Sequence, residues 1–383
     1  MKALYLFGIL ASILALTDGV TFCYYASWAV YNHWGGEFHT SDIDPYLCTH
    51  LLYAFAGLNP DTYEVKILDP SVDLCIDDGL CGFSNFTALK EENPELKTLL
   101  SIGGWSEGSK NYSIMASDPD YRAAFVSSSV NLIQQYGFDG LDLDWEYPTQ
   151  RGGTPKDKEN FVTLLEELKA GLGDLLLTIA VSAGKPTIDK SYNIPGLSAV
   201  VDYVNLMSYD FHGTWEHFTH ANSPLFAHPD DEEHGLEFLN VDFAVQYWIQ
   251  KGCPPEKLVM GIPLYGQGWS LIDTNQTGFF APAKAPSHGI DMGYYKLCMG
   301  QISSDDWVIV HDESMNEPYE YNLSKDNLWI SYEDPDSVRL KAAYARDQGL
   351  AGCMVWSMNL DDFNGNCGRP YDLITSITEE LAK

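Results

Sequence analysis

Phe138-Asp139-Gly140-Leu141-Asp142-Leu143-Asp144-Trp145-Glu146-Tyr147-Pro148 is the run from which the rest of the chain can be read. Apolar and acidic residues alternate along it, the period of a β-strand, on which successive side chains point to opposite sides. Asp142, Asp144 and Glu146 therefore share one face, while Leu141, Leu143 and Trp145 face an apolar layer. Asp139 has the opposite parity and falls off the acidic face, which suits a supporting role. Three carboxyl groups at this spacing, partly withdrawn from water, cannot all stay ionised cheaply. At least one pKa is pushed upward, which keeps a carboxyl protonated near neutral pH and fits it for general-acid work.

This run is the fourth of eight short β-rich runs, at residues 20–25, 50–56, 98–103, 140–146, 175–182, 203–209, 258–264 and 352–358. Helical spacing of apolar residues separates them, most clearly over 121–136 and 158–172. Strands alternating with helices make a parallel sheet, and eight such units predict a closed (β/α)8 TIM barrel, an α/β fold whose chemistry sits at the carboxyl ends of the strands. Trp105 follows the third run, Glu146 ends the fourth, Tyr209 and Asp210 end the sixth, and Trp356 lies near the end of the eighth. The connection after the seventh run is too long for a simple loop. Residues 268–334 are rich in aromatics and in Gly, Pro, Asn and Asp, with strand-like pieces at 307–311 and 328–332. They are expected to form a small α+β insertion walling one side of the cleft, with the barrel built from 20–267 and 335–383. No Pro/Ser/Thr-rich linker or cysteine-dense tail follows, so no appended binding module is expected.

Composition bounds the function. Among 383 residues, 54 acids against 22 bases give a net charge of −32, so nucleic acid and anionic membranes are poor partners. Residues 1–19 read as a signal peptide: Lys2, an apolar run from Ala3 to Leu16, then Thr17, Asp18 and Gly19. The run is shorter than the roughly 20 apolar residues of a membrane anchor. Eight cysteines, all after this leader, suit four disulfides in an oxidising compartment. Asn85, Asn111, Asn275 and Asn322 each head a glycosylation sequon. All of this is expected of a secreted, extracellular protein.

With these blocks in place the sequence resembles the chitinases of glycoside hydrolase family 18. The family motif DxxDxDxE is met by Asp139, Asp142, Asp144 and Glu146, and a second motif by Ser101-Ile102-Gly103-Gly104-Trp105. Tyr24-Tyr25-Ala26-Ser27-Trp28, Tyr53-Ala54-Phe55, Met207-Ser208-Tyr209-Asp210 and Met354-Val355-Trp356-Ser357 are also similar and fall in the expected order over nearly the whole mature chain. The resemblance implies a monomer that acts on chitin and chito-oligosaccharides without cofactor or metal. It implies retaining hydrolysis in which the substrate's own acetamido oxygen attacks. Glu146 would serve as acid and then base, Asp144 would hold the acetamido N–H, Asp142 would share a proton beneath it, and Tyr209 would position the acetamido oxygen. Asp210, Trp356, Trp105, Tyr24 and Trp28 would bind the sugar. One departure stands out: the family commonly has Tyr-Gly-Arg after the seventh strand, and here the run is Tyr265-Gly266-Gln267, a neutral amide in place of a fixed cation.

The resemblance also pairs Cys23 with Cys48 and Cys298 with Cys367. Cys75 and Cys81 flank a short loop and are expected to pair locally, and the remaining Cys253 and Cys353 are assigned to each other by strand adjacency. The histidines at 212, 217, 220, 228 and 234 lie in one acidic loop but lack compact zinc spacing. An isolated Asp-x-Asp is more often a metal-ligand pair, a glycosyltransferase element or a solvated turn. Two other functions stay open: a chitinase-like lectin that binds without cutting, which usually lacks the acid found here as Glu146, and an endo-β-N-acetylglucosaminidase acting on N-glycan cores.

Overall fold

Parallel pairing runs unbroken through eight strands and back to the first, which closes a TIM barrel. The computed structural model describes residues 19–33, 35–287, 292–304 and 306–383. The expected leader lies outside these residues except for Gly19. In chain order the barrel strands are Val20–Ala26, His50–Leu58, Lys97–Gly103, Gly140–Asp144, Leu176–Ser182, Tyr203–Met207, Leu258–Pro263 and Gly352–Trp356. A short strand, Val65–Ile67, adds antiparallel to the second.

Several strands end earlier than their apolar pattern. The fourth stops at Asp144 because its partner on the third strand stops there, at Gly103, and Glu146 lies two residues beyond the ladder. The alternation nonetheless continues through Glu146. Leu141, Leu143 and Trp145 pack into the layer between barrel and helices, while Asp142 points into the barrel among side chains of other strands. Gly103 and Gly104, both at positive φ, let the third strand end directly against the fourth. A Cβ on Gly103 would lie 2.1 Å from the Asp144 carbonyl oxygen, and the Gly104 N–H donates to that same oxygen at 2.8 Å.

The helices follow from local signals. Pro119–Tyr136 starts on Asp118, whose carboxylate accepts from the N–H groups of Asp120 and Tyr121, and ends on Gly137 in the left-handed conformation. Asp157–Leu172 buries Phe161, Leu164, Leu165 and Leu168 at helical spacing against the barrel.

After the seventh strand a second, antiparallel sheet of five strands forms. Its order is Ala283–Lys284, Gln267–Leu271, Leu328–Ser331, Glu317–Asn322 and Val308–Asp312, with the helix Tyr294–Ser303 beside it. It has its own core of Trp269, Leu271, Ala281, Ala283, Tyr319 and Trp329. Gln267, at the end of the barrel segment in the sequence reading, opens the first long strand of this sheet.

Disulfides join Cys23 to Cys48, Cys75 to Cys81, and Cys298 to Cys367. Cys253 and Cys353 are not bonded, contrary to the sequence expectation; both are buried free thiols. Cys353 sits within the eighth strand, whereas Cys253 lies beside Ser198 in the helix Ile194–Val200, toward the sixth strand and on the other side of the seventh. Asn322 is 3% exposed and its side-chain oxygen accepts from Ser324. Asn85 and Asn275 are exposed and Asn111 is half-buried.

Candidate active site

Barrel closure brings four strands to bear on Asp142. Its Oδ2 accepts from the Tyr24 hydroxyl at 2.8 Å and Ser101 Oγ at 2.7 Å, and its Oδ1 from Thr178 Oγ1 at 2.6 Å and Asn205 Nδ2 at 3.3 Å. Burial raises the Asp142 carboxyl while these donors oppose the rise. Asp144 lies in the same interior with Oδ1 unpartnered. Burial first, then the charges of Glu146 and Asp142, push its carboxyl well up. Between two neighbouring acids, the one supplied with four donors favours the charge and the one without takes the proton.

Glu146, 8% exposed, is raised to about 7. Burial is the main cause and the negative charge of Asp210 adds to it, while a hydrogen bond from Tyr147 and the positive charge of Arg151 oppose it. This carboxyl is thus poised to give up and recover a proton near neutrality. Tyr209 is held far above its ordinary pKa by burial and the surrounding carboxyls, so its hydroxyl remains a donor; its partner is the weakly accepting Met354 Sδ at 3.9 Å. Asp210 follows at φ 54°. It is open to solvent on one side, yet the surrounding walls raise its carboxyl against hydrogen bonds from Gln267 and Tyr265.

The aromatic residues divide into two groups. Trp28, Phe55 and Trp356 form a row, with Phe55 stacked on Trp28 at 5.9 Å and on Trp356 at 5.7 Å. Trp105 is 59% exposed. Tyr24, expected among the sugar-binding rings, is 1% exposed; it packs against Trp356, and its hydroxyl donates to Asp142. Asp139 lies at the opposite end of the fourth strand, bonded to the Thr98 N–H and paired with Lys90 Nζ at 2.9 Å, far along the strand from the acids it shares a motif with.

Sequence reasoning missed Tyr147 and Arg151. Arg151 Nη1 donates to the carbonyl oxygens of Trp105 and Glu146, and its guanidinium sits 3.7 Å from the Trp105 ring centroid. Adjacency to Glu146 could have flagged Tyr147, but nothing in the local pattern singles out Arg151. Trp215, also 59% exposed, lies in the loop after Asp210 with its ring over Gly213. The histidine loop is occupied otherwise: the His212 and His220 rings lie 3.8 Å apart, tilted by 30°, and each bonds its own acid, Glu216 and Asp231. Among the described residues the ligand-type atoms that cluster are those of Cys298, Asp362 and Cys367, where both sulfurs are committed to a disulfide. No helix among the described residues is long and apolar enough to cross a membrane.

A closed barrel with a line of inward acids at one strand end and aromatic rings beside it is the frame of a glycosidase, and residues 20–361 match glycosyl hydrolases family 18; the chain belongs to that family. It is 40% identical to "Probable chitinase 2" of Drosophila melanogaster, over 93% of this chain and 76% of that protein. The crystal structure of Ostrinia furnacalis Group IV chitinase matches with a TM-score of 0.90 at 41% identity, covering 96% of this chain and all of the other; the same protein has been crystallised with allosamidin. Human YKL-39, described as a pseudo-chitinase that retains chitooligosaccharide binding, matches with a TM-score of 0.85 at 34% identity over 95% of this chain and all of the other.

Proposed function

We propose that this protein hydrolyses β-1,4 linkages between N-acetylglucosamine units of chitin and chito-oligosaccharides, with retention of configuration. The observation that carries the reading is Glu146, a buried carboxyl titrating at about 7 beside the buried, partly unpartnered Asp144. Protonated Glu146 gives its proton to the glycosidic oxygen as the bond to the anomeric carbon breaks. The acetamido carbonyl oxygen of the same sugar closes on that carbon from the opposite face, forming an oxazolinium ion. Asp144 accepts the acetamido N–H on the unpartnered Oδ1, and as the oxazolinium forms its proton passes to the neighbouring Asp142, so that the ionised Asp144 balances the positive charge. Tyr209 donates to the acetamido oxygen and holds it in line. Glu146, now ionised, takes a proton from water, which opens the ring from the original face and leaves the β anomer. Asp210 and the row Trp28, Phe55 and Trp356, with Trp105, bind the sugars by hydrogen bond and ring stacking.

The same reading assigns 20–267 and 335–383 to a catalytic barrel and 268–334 to an insertion domain, with the chain acting as a monomer exported after loss of residues 1–19. The three disulfides support an oxidising destination. Binding without cleavage is disfavoured by the presence of Glu146 in an environment that keeps it protonated. Glu146→Gln is expected to bind oligosaccharide normally while losing roughly a hundredfold to ten-thousandfold in turnover. Undiminished turnover, or first products in the α configuration by NMR, would overturn the mechanism.

A further inference from the structure

Asn222 lies outside every motif above, in the loop that returns from Asp210 toward the next helix, and is fully buried. All four of its polar groups are engaged. Oδ1 accepts the Asp210 N–H at 2.9 Å, Nδ2 donates to the Tyr265 carbonyl at 3.1 Å, and its carbonyl accepts the Phe211 N–H at 3.0 Å. Its N–H is shared between Glu317 Oε1 at 3.0 Å and Ser331 Oγ at 2.9 Å. The amide side chain thus spans two loops at the carboxyl end of the barrel, one carrying Tyr209 and Asp210, the other Tyr265 and Gln267. The second of these supplies the hydrogen bonds, from Gln267 and Tyr265, that hold the Asp210 carboxyl.

Behind Asn222 stands a buried ionic cluster. Glu317 Oε2 accepts the Ser223 N–H at 2.7 Å and lies 3.7 Å from Lys341 Nζ, which also bonds Glu333 and the Ser223 carbonyl. Ser223 Oγ donates to the Ser208 carbonyl at 2.7 Å. Glu317 and Ser331 belong to the antiparallel sheet, Lys341 to the helix Pro335–Asp347 that packs on the barrel, and Asn222 and Ser223 to the loop between. The left-handed conformation of Asp210 is uncommon for a residue with a Cβ and persists only where its surroundings hold it.

We propose that Asn222 is a positioning residue for Asp210, holding its backbone at the angle that aims the carboxyl into the cleft, and that the Glu317–Lys341 cluster makes this aim depend on the docking of the second sheet. The inference rests on the reading of the site as a chito-oligosaccharide cleft. The test measures binding of tri-N-acetylchitotriose by calorimetry in Glu146→Gln protein, so that turnover does not interfere. Asn222→Ala is expected to weaken binding about tenfold where Asp210 is present, the worth of about one such bond, and less than about twofold in an Asp210→Ala background. Equal losses in both backgrounds, or no loss in the first, would overturn the role of Asn222 while leaving the ligand reading intact. A Glu146→Gln parent that binds no oligosaccharide would overturn both. Should Asn222→Ala fail to fold, Asn222→Leu keeps the side-chain volume while removing both the acceptor facing the Asp210 N–H and the donor to Tyr265, and is compared across the same two backgrounds, with the same outcomes deciding.

Discussion

Gln267 donates from Nε2 to Asp210 Oδ1 at 2.7 Å, so the carboxylate at the mouth of the cleft is met by a neutral amide. The charge of Asp210 is therefore not cancelled locally, and it raises the pKa of Glu146. If Glu146 must be protonated to act, kcat/KM falls as pH rises through about 7. Gln267→Arg places a cation beside Asp210, favours the ionised form of Glu146, and is expected to move this alkaline limb about half a unit toward acid. A pH profile with an unmoved limb would show that the two carboxyls do not communicate.

Arg151 acts in the opposite sense. Its positive charge lowers the Glu146 pKa, so Arg151→Gln is expected to carry the alkaline limb to higher pH. Because the guanidinium also covers Trp105, KM is expected to rise in the same variant. A shift of the limb toward acid would contradict the assignment.

Tyr24 reaches Asp142 across 118 residues of sequence and is closed off from the cleft. Tyr24→Phe removes one of the four donors that favour the Asp142 charge, so the proton is shared differently with Asp144. About a tenfold drop in kcat with KM changed less than about twofold is expected, since the hydroxyl supports the reaction and not binding. Steady-state kinetics in which KM alone changed would instead place Tyr24 against the ligand.

Stability is expected to increase on mild acidification. Glu146, Glu320 and Asp361 are raised to about 7 and Asp73 to about 6, with burial the main cause each time. Between their ordinary values near 4 and these, the folded state binds more protons than the unfolded one, so stability present at pH 5 is lost as pH rises toward 7.5. The acids held below their ordinary values, such as Asp189 at about 2, change protonation only in more acidic solution, while His50 and His220, lowered to about 4 mainly by burial, oppose the gain in the same window and are outweighed by the larger number of raised carboxyls. Urea unfolding should show at least about 2 kcal/mol between the two conditions; a flat or inverted dependence would refute it.

Lys341 is fully buried between Glu317 and Glu333. Lys341→Met strands two carboxyls away from water and is expected to cost about 3–5 kcal/mol, measurable by denaturant unfolding. A loss under about 1 kcal/mol would mean that the cluster does not fasten the second sheet to the barrel.

Much of this was legible in the order of residues. Strand alternation places Asp142, Asp144 and Glu146 on one side because side-chain direction repeats every two residues whatever the rest of the chain does. Eight runs with helices between them lead to a parallel barrel because few other closures bury both faces of such strands. What the sequence leaves undecided lies where distance along the chain says nothing about distance in space. Cys253 and Cys353 flank the same strand in sequence order, but one lies beside Ser198 of the helix Ile194–Val200 and the other within the eighth strand. Tyr24 shares a block with Trp28, yet one is shut inside the barrel and the other open to the groove. The sequon at Asn322 carries no sign that its strand is buried.

Short-range periodicity alone specifies the barrel and its line of acids, because both depend on neighbours two to four residues apart. Which carboxyl holds the proton, which rings face the groove, and what aims Asp210 depend on groups brought together from dozens to more than a hundred residues away. Those contacts come into being when the barrel closes and the second sheet docks on it, since desolvation and hydrogen-bond geometry are properties of the packed interior and not of any one segment.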